Sequence, residues 1–570
     1  MCPSLSSSLE LSWIKSQNRL QLKNHNLMRR GVAESHNQAK LKKKIHFKIK
    51  GNNLFLGEGF SLHNKKLGAS TCWITIFVAA RKKKMNQTRL ELCHEPLKVS
   101  RFSIVPEKLG DVVILVIRIG ILMCLIASIS LAVHSAFSKP DRWFPLPEHI
   151  RTVQNTSVIE SGPTNISHIQ FGIAGSANTW HARSNYSNLW WNPNTTRGFV
   201  WLDKKPKILH TDMLVPYKIS KGWSRFKYVH SASAVRIARI VYESFKLGLP
   251  NVRWFVMGDD DTVFFPENIV TVLGKYDHNQ LYYIGGNSES VEQDVMHSYN
   301  MAFGGGGFAI SYALAAQLAK IMDGCLNRYF YFYGSDQRVW ACVHEIGVPL
   351  TREGGFHQLD IRGNAYGLLA AHPLVPLVSL HHLNQLKPLF PNQTQMHSMN
   401  KLINAYHVDP ARIVQQSFCY DHKRRWSISI SWGYTIQIYT TLLIAADLQM
   451  PLQTFRTWRS WSNGPFTFNT RPMSSDPCQQ PAIFFLDQVT KVGKSGSITV
   501  YKRYESNCKK KDINKVEVKR IRVSALKLDS DYWKKVPRRH CCQILGGGSI
   551  KNGSMDIRIR KCRPQETITI

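Results

Sequence analysis

The 570-residue chain contains no C-x-x-C pair, no internal repeat and only one long apolar run. The first absence leaves zinc little to bind, since His540-Cys541-Cys542 lacks ligand spacing as well. The second excludes a repeat array, and the third allows at most one helical membrane crossing. Acids are scarce too: 38 Asp/Glu stand against 74 Lys/Arg, a formal charge of +36. Such a balance suggests nucleic acid at first, but its distribution argues otherwise. Residues 1–110 hold 21 Lys/Arg and 6 Asp/Glu, with little sustained periodicity, and are densest in KLKKKIHFKIK (Lys40–Lys50) and RKKK (Arg81–Lys84). These runs read as a solvated, disordered tail, with a nucleic-acid arm or a membrane-surface patch as the alternatives.

The hydrophobic content, 43%, suffices for a sizeable core in a chain long enough for several domains. The one apolar run, Val112–Val133, reaches the roughly 20 residues of a bilayer crossing. Arg118 lies close enough to its start for the guanidinium to return to the headgroups. A buried core helix is the other reading. Lys/Arg are denser before the run than after it, which predicts a cytosolic N-terminus and a type II, signal-anchored topology. Six N-x-S/T triplets follow the run, at Asn155, Asn165, Asn185, Asn194, Asn392 and Asn552. The clustering of four of them directly after it is what a lumenal stem would show. Eight of the twelve cysteines also lie beyond it, an even number that suits disulfides in an oxidising lumen, with connectivity left open. The expected organisation is a basic cytosolic tail over 1–111, a transmembrane helix over 112–133 and a stem over 134–164. A first lumenal domain then spans 165–408, and a β-leaning, cysteine-containing module spans 409–570.

Within the lumenal part, His168–Gly175 and Gly198–Asp203 have strand character. Ser233–Gly248 has the apolar spacing of one amphipathic helix stopped by glycine. Val252–Met257 is a further strand, and Pro266 sits where a helix would begin. This alternation predicts an α/β sheet with parallel strands, whose ligands collect at the strands' carboxyl ends. Asp259, Asp260 and Asp261 fall at such an end. Carboxylates in D-x-D spacing can chelate Mn²⁺ or Mg²⁺ and, through the ion, a diphosphate. Three acids there also suit a helix cap or structural calcium.

Further chemistry follows along the chain. Gly304–Gly307 permit close backbone approach to a ligand, with Gly305 and Gly306 the expected contacts, or else form a plain turn. Asp336 heads a helix-like segment, placed either to accept a proton from an attacking hydroxyl or to cap the helix. His381 and His382 stand at a strand end, where imidazole can join a metal site. Trp190, Trp191, Trp340, Trp458 and Trp461 offer faces for sugar or simply fill a core.

Strand-Asp259-Asp260-Asp261, then GGGGFAIS, then a Gly-Ser-Asp helix, then Ser-Leu-His, in that order, resembles the Fringe-like branch of the family-31 glycosyltransferases. The closer likeness is to plant members with an extra C-terminal domain, and it covers about Ile169 to His382. The resemblance implies a nucleotide-diphospho-sugar (GT-A, Rossmann-like) fold. It also implies inverting transfer of a hexose, of the galactose or N-acetylglucosamine class, from a UDP-sugar to a glycan hydroxyl in the Golgi. Asp259 and Asp261 then match the metal-binding D-x-D, with Asp261 the direct ligand and Asp259 or Asp260 nearer the ribose. His381 matches the distal metal ligand, with His382 one residue away as the alternative. Asp336 matches the catalytic base, and Arg183 lies where the first loop meets the nucleotide. One departure stands out: the family's acidic pair reads Ser335-Asp336, leaving a single base. A catalytically silent glycan-binding protein on the same fold is the rival reading, and a nucleic-acid partner is not expected.

Overall fold

The computed structural model describes residues 107–137, 162–207, 214–505, 508 and 516–569. Most of the basic tail, most of the stem and Asn155 lie outside them. The chain forms two compact units, Met1–Pro147 and Glu148–Ile570. In the first, a 31-residue helix, Glu107–Phe137, contains the apolar run Val112–Val133, and its described side chains, 115–130, are all exposed. Among the described residues no helix is long and apolar enough to cross a membrane, so the expected transmembrane anchor finds no support.

The second unit is built on a seven-stranded sheet. Its strands are β1 (Ile169–Ala174), β2 (Arg197–Leu202), β3 (Tyr217–Ile219), β4 (Trp254–Asp259), β6 (Tyr283–Gly285), β7 (Phe308–Ser311) and β8 (Leu350–Arg352), with β5 (Val263–Phe264) outside it. The order is β3-β2-β1-β4-β7-β6-β8. The first four strands are parallel, as their sequence rhythm predicts. β7 runs antiparallel to both neighbours, so the sheet is mixed rather than wholly parallel. β4 is apolar up to its terminal aspartate because both its faces are covered. Trp254 and Val256 point into one core, while Phe255 and Met257 point into another. The predicted single helix over 233–248 is two, Ala232–Ala238 and Ile240–Lys246, interrupted at Arg239. It ends as expected at Gly248, whose φ of +58° suits glycine.

Beyond helix Gln395–Val408 the chain closes an eight-stranded barrel. The alternation of WSISIS and its neighbours gives strands Trp426–Ser431 and Thr435–Tyr439. One apolar cluster contains Phe171 and Val256 from the sheet together with Ile428, Ile436 and Ile559 from the barrel. The module predicted as separate thus shares its core with the α/β layer. All eight cysteines pair, as Cys325–Cys342, Cys419–Cys542, Cys478–Cys508 and Cys541–Cys562.

Candidate active site

β4 carries its apolar run to Asp259, which is in register with Ala174 at the end of β1. A tight turn follows, in which the Asp259 N–H donates to Thr262 Oγ1 (2.9 Å) and the Thr262 N–H to the Asp259 carbonyl (3.1 Å). β5 then leaves the sheet to pair with Ser379–Leu380, Leu380 opposite Val263. That register sets the next residue, His381, beside the turn. Ser379–Leu380 also pairs with Phe356–His357, so Gln358–Asp360 arrive on its other side.

His381 Nε2 lies 3.0 Å from Asp261 Oδ1 and 3.8 Å from Asp259 Oδ2. One ligand atom from each of Asp259, Asp261 and His381 falls within 4.8 Å of the others. Asp259 keeps 37% of its side chain exposed, whereas Asp261 and His381 keep 2% and 4%, so the cluster opens on the Asp259 side. Arg183 Nη1 donates to Asp260 Oδ1 at 2.8 Å, and its Nη2 lies 3.5 Å from Asp261 Oδ2. Arg183 and Asp260, expected at the nucleotide, therefore brace each other.

The electrostatics are unbalanced. The protein crowded around its partly exposed side chain, then the charges of Asp261, Asp336 and Asp260, pushes the Asp259 carboxyl well above the usual carboxylate range. Burial raises Asp260 as well, against Arg183. Burial acts on Asp261 in the same sense, but the His381 hydrogen bond and the charge of Arg183 outweigh it and hold that carboxyl low. Burial and neighbouring His382 lower His381, which favours the neutral imidazole. Two carboxylates and a neutral imidazole are a donor set that fits Mn²⁺ or Mg²⁺. A cation would offset the mutual repulsion that lifts Asp259.

The glycines serve this cluster by close approach. A Cβ on Gly305 would stand 2.0 Å from His381 Cε1, and one on Gly304 would stand 2.9 Å from Asp336 Oδ1. The Gly305 carbonyl accepts from Thr262 (2.7 Å), and the Gly306 N–H donates to Gln358 (2.5 Å). Both groups are thus engaged with protein rather than turned toward a ligand. Asp336 is fixed at both oxygens, Oδ2 accepting from the Gly304 N–H (2.9 Å) and Oδ1 from the Ser335 hydroxyl (2.8 Å). With Asp259 and Gly304 it lines a recess of about 20 Å³, large enough for a water but not a sugar. A wider groove of about 870 Å³, between Trp190, Glu267 and Leu528, includes none of the predicted catalytic or metal residues.

His382 does not join the cluster. Its Nδ1 lies 2.9 Å from Asp360 Oδ1, and its ring stacks on Trp458. Trp190 and Trp191 are core side chains, whereas Trp461 is 56% exposed. The sequon residues Asn165, Asn185, Asn194, Asn392 and Asn552 are all exposed. Sequence reasoning missed Asp360, fully buried, and the partnership of Trp458 with His382, because only long-range pairing brings them here.

A family described as "Protein of unknown function, DUF604" matches residues 293–542. That stretch holds the glycines, Asp336, Asp360, His381 and Trp458, and begins after the three aspartates. No curated protein matches the chain. Among solved structures, the galactosyltransferase LgtC with donor and acceptor sugar analogues is 13% identical, covering 40% of this chain and 95% of its own, at a TM-score of 0.27. The catalytic domain of Drosophila β1,4-galactosyltransferase 7 with xylobiose is 12% identical, covering 32% and 64%, at 0.20. Mouse xyloside xylosyltransferase 1 is 7% identical, covering 32% and 81%, at 0.21. Scores this low establish nothing about the chain, whose reading rests on its own side chains.

Proposed function

We propose that this protein is a metal-dependent, inverting glycosyltransferase that moves a hexose from a UDP-sugar to a hydroxyl of a glycan or glycoconjugate. The observation that carries the reading is the convergence of Asp259, Asp261 and His381 at the carboxyl end of a central strand. The motif order that resembles the Fringe-like transferases supports it and favours galactose or N-acetylglucosamine. Asp259, Asp261 and His381 would hold Mn²⁺ or Mg²⁺, which when bound supplies positive charge for the leaving diphosphate. Asp336, oriented by Gly304 and Ser335, takes the proton of the acceptor hydroxyl. The acceptor oxygen bonds to the anomeric carbon as the sugar–diphosphate bond breaks, inverting that carbon and releasing UDP. The donor lies on the exposed side of Asp259, since the recess beneath is too small for it.

A Golgi lumenal setting belongs to the same proposal. Four disulfides suit an oxidising compartment, and five exposed sequon asparagines are open to glycosylation. The test is release of UDP from a panel of UDP-sugars by the purified chain, with and without Mn²⁺. Release from one donor, dependent on the ion and on Asp336, is expected. A folded chain that releases UDP from none of them is not this enzyme.

A further inference from the structure

The barrel does not stay apart from the site. Between strands Thr435–Tyr439 and Ala482–Val492 the chain leaves it, and Phe455–Thr457 pairs antiparallel with Ile361–Gly363, Ile361 opposite Thr457. The next residue, Trp458, thereby reaches His382. Their rings lie 4.7 Å apart and within 9° of parallel. Arg362 clamps the indole, its guanidinium carbon 3.8 Å from the ring centre and its Nε donating to the Trp458 carbonyl at 3.2 Å. Glu292 fastens the following turn by accepting from the N–H groups of Arg459 and Ser460.

His382 is constrained from a second side. It sits at φ +57°, a left-handed conformation uncommon for a side-chain-bearing residue, and is bonded to Asp360. The second Asp360 oxygen accepts from the Ser288 hydroxyl at 2.8 Å. The His382 ring centre then lies 3.8 Å from that of His381.

His381 itself lacks the usual support. A metal-binding histidine is normally oriented by a hydrogen bond at its other ring nitrogen, but Nδ1 of His381 is buried without a partner among the described residues. Apart from the contact of its ligating Nε2 with Asp261, packing holds the ring, with the Gly305 backbone on one side and His382 against it. We propose that Trp458, delivered by the barrel, is a positioning residue for His381. By pinning His382, it supplies through stacking the orientation that a hydrogen bond supplies elsewhere. The inference rests on reading Asp259, Asp261 and His381 as the cation site, and it makes the C-terminal module part of that site.

The test is Mn²⁺ affinity of the full chain without donor, read from the EPR signal of free Mn²⁺. Trp458→Ala should weaken binding by about 10–100-fold, the range seen when outer groups of a metal site are removed. Trp458→Phe, which keeps an aromatic face, should bind nearly as wild type. Wild-type affinity in Trp458→Ala, with binding lost in Asp261→Ala, would overturn the inference and leave the cation site standing. If the wild-type chain binds no Mn²⁺, both readings fall. Should Trp458→Ala not fold, Trp458→Leu decides by the same criterion, since it keeps bulk but no ring to stack.

Discussion

Two buried polar groupings of this molecule differ in one respect. At the seam where the α/β layer meets the barrel, Asp409 and Arg412 pair at 3.0 Å, the acid fully buried and the base 4% exposed. Asp409 also accepts from the Leu528 N–H, and Arg412 donates to the Leu526 carbonyl, so the charges are matched and their hydrogen bonds tie helix to barrel. At the end of β4, three acids face one arginine and a neutral histidine, and Asp259 is pushed well upward. Matched burial fastens structure, whereas unmatched burial at a strand end marks where a ligand completes the charge.

The largest expected effect strikes the unmatched grouping. Asp336→Asn should cut transfer by about 10²–10⁴-fold, the scale of a lost general base, while the chain still folds and binds Mn²⁺. If the variant transfers normally, another group takes the proton. The matched grouping should respond in stability instead. Arg412→Met strands Asp409 in the interior and should cost about 3–5 kcal/mol in urea unfolding. Asp259→Asn should leave the stability of the metal-free chain equal or higher, because it relieves repulsion while abolishing transfer. Equal destabilisation by both substitutions would erase the distinction.

A smaller effect is expected from Gly305→Ala, whose methyl group would collide with the His381 ring. Mn²⁺ affinity should drop about 10-fold or more, visible by calorimetry. The smallest concerns the seam again. Burial, then Arg412 and Lys561, pushes His540 down to about 4, against roughly 6.5 in the unfolded chain. Between those values the unfolded chain binds a proton that the folded one does not, so stability declines as pH falls through that window and levels off below it. Melting temperatures at pH 7 and 4.5 should differ more for the wild type than for His540→Gln.

Much of the site was legible in the sequence because local chemistry sets it. β1, β4 and the helix at Pro266 follow from period and punctuation, and Asp259–Asp261 fall where β4 must end. The resemblance favours His381 over His382, but no local pattern does, since the choice turns on the Leu380–Val263 register. The direction of β7 was hidden as well, because a four-residue apolar strand is equally at home either way. WSISIS announced β-structure, but closure of the barrel depends on Phe418 meeting Cys541, a contact no local pattern encodes. The stack of Trp458 on His382 was hidden for the same reason. A tryptophan in a polar loop gives no sign of what lies opposite.

The barrel's last strand, Ser554–Arg560, is wedged between Arg520–Leu526 and Cys541–Ile544. During synthesis the wall therefore stays open until that segment has emerged. The span that hands Trp458 to His382 is suspended from the same wall. Residues through Arg560 must be synthesised before the wall that carries this span can close.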